Sequence, residues 1–119
     1  ASKLKESFLM RSRSRKNKGK RLQNKVRDIL LEAFQDLEQD DIRSAIMGES
    51  GEDIKLSPAA RKLIPYSIEC KNQEKLNIWE ALSQAEENSG VSTPVLIFKR
   101  NRSKTYAVLP IEEFINLIK

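Results

Sequence analysis

A chain of 119 residues is long enough for one compact domain and short for two. With 33% charged and 39% hydrophobic residues, no run of 18 apolar residues and no apolar signal-peptide core, it reads as a soluble, cytoplasmic protein. The absence of histidine excludes imidazole acid-base catalysis, Ser-His and Cys-His nucleophile pairs and His-ligated zinc, and the single Cys70 can build neither a disulfide nor a thiolate cage.

What remains for hydrolysis at neutral pH is carboxylate chemistry with a hard metal such as magnesium, assisted by lysine. The net charge of +5 is unevenly spread. Residues 1–27 carry eleven Lys and Arg against Glu6 alone, +10, and residues 28–119 carry eleven against sixteen acids, −5. A basic arm on a mildly acidic body suits a polyanionic partner; the plainer reading is a solvated tail that aids solubility.

From Ser2 to Gly19, large apolar residues are few apart from Leu4 and the cluster Phe8, Leu9 and Met10, and Arg11 to Lys16 is of low complexity. Residues 1–18 are therefore expected to form a flexible basic arm, and Met10 could itself be a start. A helix is predicted from Lys20, where Leu22, Val26, Ile29, Leu30, Ala33, Phe34 and Leu37 recur as one apolar stripe. Ile42–Met47 and Glu52–Leu56, separated by Gly48-Glu49-Ser50-Gly51, read as a hairpin. Ser57-Pro58 starts a short helix, Tyr66–Lys71 is a third strand, and Asn77–Asn88 is a helix carrying Ile78, Trp79, Leu82 and Ala85 inward. Val95–Phe98 is apolar on both faces and suits a central strand; Thr105–Leu109 follows a polar turn, and Pro110 opens a last helix with Ile111, Phe114, Ile115 and Ile118 on one side.

Among the charged residues on predicted strands, an acid on the second, Asp53, and a Glu-x-Lys pair on the third, Glu69 and Lys71, stand out. Alternation along a strand puts Glu69 and Lys71 on one side and Ile68 and Cys70 on the other, toward the core. With strands about 4.8 Å apart, pairing of the second and third would converge two carboxylates and one ammonium. Two such acids repel unless a cation sits between them. Magnesium there would lower the pKa of a water and screen a phosphodiester, while the lysine orients attack or stabilises transition-state charge. Glu-x-Lys on a strand is by itself an ordinary surface ion pair; the spacing from Asp53 sharpens it.

Glu52-Asp53 followed by Glu69-Cys70-Lys71 resembles the signature of the PD-(D/E)XK nuclease superfamily, with Glu52 where the signature has proline. Gly19-Lys20-Arg21-Leu22-Gln23 in the first helix, and Gln84 in the helix after Glu-x-Lys, are similar to archaeal-type Holliday junction resolvases and small phage-encoded endonucleases. The resemblance covers residues 19–119. It implies an α/β, restriction-endonuclease-like core, a mixed central sheet of about five strands flanked by helices in the order αβββαββα. It also implies magnesium dependence, with manganese substituting, and a homodimer. Asp53 and Glu69 become metal ligands and Lys71 and Gln84 catalytic; Gln23 stands where resolvases carry a glutamate, which implies a water-mediated contact.

Arg11, Arg13, Arg15, Lys16, Lys18, Lys20 and Arg21 of the arm, with Lys99, Arg100, Arg102 and Lys104 at the last hairpin turn, are candidates for holding a DNA backbone, branched or duplex, without reading bases. Two rivals stand beside the nuclease: a non-catalytic nucleic-acid-binding module with structural carboxylates, and a nuclease half-site whose last helix, with Leu117, meets a partner.

Overall fold

The structure is a computed structural model that describes residues 2–119; Ala1 and the side chains of residues 2–4 and of Phe8 lie outside the description, so Leu4 and Phe8 of the expected arm are not placed. Helix α1 runs Ser2–Ala33. The helix expected from Lys20 therefore begins at Ser2, and the described part of the arm is its N-terminal half and not coil. Low complexity signals the lack of a core, not the backbone conformation. Between Ser2 and Lys25 there is no proline or β-branched residue, so turns propagate outward from the packed segment at little cost.

Packing begins at Leu22 and Val26, 2% and 4% exposed, one turn apart on α1. Leu30, Phe34 and Leu37 are half-buried beside the same core, whereas Ile29 and Ala33 of the expected stripe face outward. Polar contacts hold the middle of the helix, between Lys18 and Asn24. Lys20 donates to the Ala45 carbonyl at 2.9 Å, Ser44 Oγ to Asn24 Oδ1 at 2.7 Å, and Asn72 Nδ2 to the Lys18 carbonyl at 3.3 Å.

Strands β1 (Ile42–Ser44) and β2 (Ile54–Leu56) form an antiparallel hairpin with Ile42 opposite Leu56. They are shorter than expected because the connecting turn has its own bonding: Glu49 accepts from the Ile46 N–H at 3.0 Å and grips Arg43 at 2.9 and 2.8 Å. Gly48 and Gly51 supply the left-handed backbone of that turn, at φ 83° and 91°. Helix α2 (Pro58–Leu63) starts as predicted, Ser57 Oγ accepting from the Ala60 N–H at 3.1 Å.

Strand β3 (Tyr66–Asn72) pairs in parallel with β4 (Thr93–Lys99), Glu69 opposite Leu96, and β4 pairs antiparallel with β5 (Tyr106–Val108). β4 is thus the central strand, with Leu96 at 0% exposure. Helix α3 (Ile78–Ser89) connects β3 to β4, and α4 (Ile111–Ile118) closes the chain. The fold is α/β with five strands in mixed pairing, as a restriction-endonuclease-like core requires. The strands are divided into a two-stranded and a three-stranded sheet that meet at Asp53. The joint core contains Leu22 and Val26 of α1, Ile42, Ile54, Ala60 and Ile64, and Ile68 and Cys70 of β3. Full burial of each large aliphatic here stabilises by about 1.5–3 kcal/mol.

One packing expectation is overturned on α3. Ala81 and Ala85 are its buried residues, while Trp79 is 81% exposed and Ile78 37%. Two positions along a helix is roughly 200° of rotation, so the face that seats the alanines turns the indole to solvent. Small residues there let α3 lie close on the sheet, bringing its polar residues within reach of β3. Among the described residues no helix is long and apolar enough to cross a membrane.

Candidate active site

Asp53 sits one residue before β2 and joins the two sheets with both its main chain and its side chain. Its N–H donates to the Ile68 carbonyl at 3.0 Å, and its Oδ2 accepts from the Cys70 N–H at 2.8 Å. Both partners lie on the edge of β3 away from β4, where backbone groups would otherwise lack partners. The preceding residue is also anchored. Glu52 pairs with Arg61 of α2, which donates in turn to the Tyr66 carbonyl at the start of β3.

Glu69 lies mid-strand on β3 and is 5% exposed, with Ser67 on the same face at 2%. Both faces of β3 are therefore buried: Ile68 and Cys70 enter the core, and Glu69 lies beneath α3, where Asn88 Nδ2 donates to its Oε2 at 3.3 Å. Burial, and then the charge of Asp53, push its carboxyl up to about 7, against the smaller opposing effects of the Asn88 hydrogen bond and the Lys71 ammonium. Lys71, two residues on, is half-buried on the same side. Cys70 is in the core, and burial raises its thiol far above the ordinary value, so it is an inert apolar filler.

Asp53, Glu69, Lys71, Gln84 and Gln23 all line one cavity of about 530 Å³. They come from α1, the residue before β2, β3 and α3, so four separate parts of the chain converge. Of the cations of the expected arm, Arg15 also lines it, at the spacing Arg15, Gly19, Gln23 that marks one face of α1. Lys16 and Lys20 line an adjoining cavity that shares Gln23, Glu49 and Asp53. Arg11 and Arg13 are exposed farther along α1, and Arg100 and Lys104 are exposed at the β4–β5 turn, outside the cavity. Lys18, Arg21, Lys99 and Arg102 gather around a separate cavity.

Two participants escaped the sequence reading. Asn88 bonds Glu69 directly and lies one helical turn beyond Gln84, a spacing that would have placed both on one face of α3. Glu49 lines the cavity from the β1–β2 turn, with its carboxyl held down at about 2, chiefly by the hydrogen bonds from Arg43. A polar turn residue carries no periodicity from which this could be read.

The two carboxylates suit a hard divalent cation. Among the described residues no three of His, Cys, Asp and Glu cluster as a complete cage. Asp53 and Glu69 are close enough that the charge on one raises the carboxyl of the other, and each spends one oxygen on a neutral N–H donor. A hard divalent cation that keeps several waters takes one or two protein carboxylates, the number this pair offers.

No curated protein and no solved structure matches the chain at a significant level. A family model described as "Phage putative PDDEXK endonuclease" matches residues 14–119, which takes in all of the cavity-lining positions. With the Asp53 and Glu69-Cys70-Lys71 signature and the α/β core in place, the chain belongs to this phage PDDEXK endonuclease family.

Proposed function

We propose that the chain is a magnesium-dependent endonuclease that hydrolyses DNA phosphodiesters, with Asp53 and Glu69 holding the ion and Lys71 assisting the attack. The observation that carries this reading is the convergence of Asp53, Glu69, Lys71, Gln84 and Gln23 on one cavity. Magnesium, with manganese as a substitute, would lower the pKa of a water and screen the phosphate. Asp53 is oriented by the Cys70 N–H and Glu69 by Asn88 Nδ2, so neither carboxylate must be ordered when substrate arrives. Lys71 places a compact positive charge where negative charge builds on the phosphorus oxygens. Gln84 and Gln23 offer uncharged amides on opposite helices, suited to positioning water or a phosphate oxygen.

In this reading residues 19–119 are the nuclease body, and Arg11, Arg13, Arg15, Lys16, Lys18, Lys20 and Arg21, with the basic β4–β5 turn, grip the DNA backbone. The contacts are with phosphate, so branched DNA of the Holliday-junction kind would be selected by shape and not by base sequence. A homodimer is part of the proposal. It is supported by α4, on which Ile111, Phe114, Ile115, Leu117 and Ile118 are each 43–63% exposed.

The test is incubation of the purified chain with plasmid, four-way junction and plain duplex, in EDTA and then with excess magnesium. Metal-dependent scission by the wild type and none by Asp53→Ala or Lys71→Ala is the expected result. Binding without scission under every condition would instead favour a non-catalytic nucleic-acid-binding module.

A further inference from the structure

Two basic segments that are remote in sequence meet on one side of the molecule. Lys18, Arg21 and Lys25 of α1 line one wall of a cavity of about 390 Å³, and Lys99 and Arg102 from the end of β4 and its following turn line the other. The spacing of the first three puts them on one helix face. The remaining lining is one leucine and two asparagines, with no carboxylate among the described residues. Of the nearby acids, Asp28, one turn beyond Lys25, pairs with Arg27, and Glu74 accepts from the N–H of Asn101 at the cavity rim, leaving five cations against one rim carboxylate.

Five cations around one concavity repel one another unless an anion is present. Arg102 has φ 61°, the left-handed region that glycine or asparagine occupies more cheaply. Lys25 Nζ lies 3.4 Å from Thr105 Oγ1, in the segment entering β5, so Lys25 of α1 reaches across toward the β4–β5 side. Asn72, at the end of β3, lines both this cavity and the one containing Asp53, Glu69 and Lys71.

We propose that this cavity is a phosphate-binding site that seats one phosphate of the nucleic-acid strand while a neighbouring phosphodiester of the same strand lies at the cutting centre. The proposal rests on the nuclease reading for its second half. The ammonium and guanidinium groups supply charge-assisted donors to the phosphate oxygens, and the shared Asn72 wall sets the step from one phosphate to the next. Lys25, outside the arm and turn read from the sequence, is one of its members.

The test measures binding of the full chain to a fluorescent duplex in EDTA, where no cleavage occurs. One backbone phosphate at a time is replaced by a neutral methylphosphonate, and each duplex is made with and without a terminal 5′-phosphate. For the wild type, neutralising one particular phosphate, internal or terminal, is expected to weaken binding about tenfold. The Lys25→Ala/Arg102→Ala variant is expected to bind the unmodified duplex about tenfold less tightly, to lose about one unit from its salt slope, and to be indifferent to that same neutralisation. Lys25→Arg, which keeps the charge, should keep the sensitivity. An unchanged neutralisation profile in the double variant, with its circular dichroism and Lys25→Ala alone as folding controls, overturns the site. Magnesium-dependent cleavage by the wild type is scored separately. Lost coupling with cleavage intact sinks only the phosphate site, whereas intact coupling without any cleavage sinks only the nuclease.

Discussion

The Cys70 N–H donates to Asp53 Oδ2 at 2.8 Å, so the amide lying between Glu69 and Lys71 is what holds the third member of the constellation in place. The Asp53 N–H in turn donates to the Ile68 carbonyl at 3.0 Å. Asp53 thereby satisfies two edge groups of β3 that a neighbouring strand would otherwise pair. Its carboxylate is both a strand-edge cap and a candidate ligand, and these two roles can be separated by substitution.

Asp53→Asn retains an oxygen that accepts from Cys70, and Asp53→Ala removes it. Urea unfolding should show the alanine variant less stable by about 1–3 kcal/mol, the cost of leaving a buried N–H unpaired, with asparagine close to wild type. Both should lack cleavage. A full-strength, metal-dependent cut by Asp53→Asn would show that the charge is not needed.

Glu69 has the opposite sign of effect on stability. Its folded carboxyl ionises at about 7 against an ordinary 4.5, so the folded chain binds more protons in that window and stability falls as pH rises through it. Glu69→Gln should abolish that slope and leave the metal-free protein more stable than wild type, by up to about 3 kcal/mol above pH ~8. Below about pH 4 the two should converge. Magnesium should flatten the slope for wild type alone; thermal melts across pH with and without the ion would decide this, and parallel curves would count against it.

In the proposed mechanism Lys71 serves the chemical step more than binding. Lys71→Met keeps the apolar stem and removes the charge, so cleavage should fall by roughly 10²-fold or more while duplex affinity in EDTA changes little. A loss of affinity that accounts for the whole effect would move Lys71 among the backbone-holding cations.

Trp79 lies outside the core, so Trp79→Ala should alter the unfolding free energy by no more than about 0.5 kcal/mol. A core tryptophan would cost about 3–5 kcal/mol, and a loss of that size would mean that another surface covers the indole.

The apolar face of α4 makes the dimer testable. Light scattering should find a dimer in the wild type and a monomer for Phe114→Asp/Ile115→Asp with unchanged circular dichroism. A monomeric wild type across the concentration range removes this part of the proposal.

What was legible in the sequence was local. The order of helices and strands, the Ser57 cap and the shared side of Glu69 and Lys71 follow from periodicities of 3.6 and 2 and from the chemistry of turns, which need only neighbours along the chain. The candidate site was readable in part: Glu69 and Lys71 declared themselves as charges on one strand, whereas Asp53, expected on the second strand, lies one residue before it. Tertiary structure decided which face of each element meets which. The alanines of α3 dock and Trp79 turns outward because a close helix-sheet approach is won by small side chains, a competition invisible within the helix itself. Asn88 reaches Glu69, the five strands divide at Asp53, and Lys25 joins Lys99 and Arg102 across the fold, each through contacts between segments far apart in the chain. Those depend on how two surfaces fit and how their buried polar groups are paired, and no window of sequence contains both surfaces.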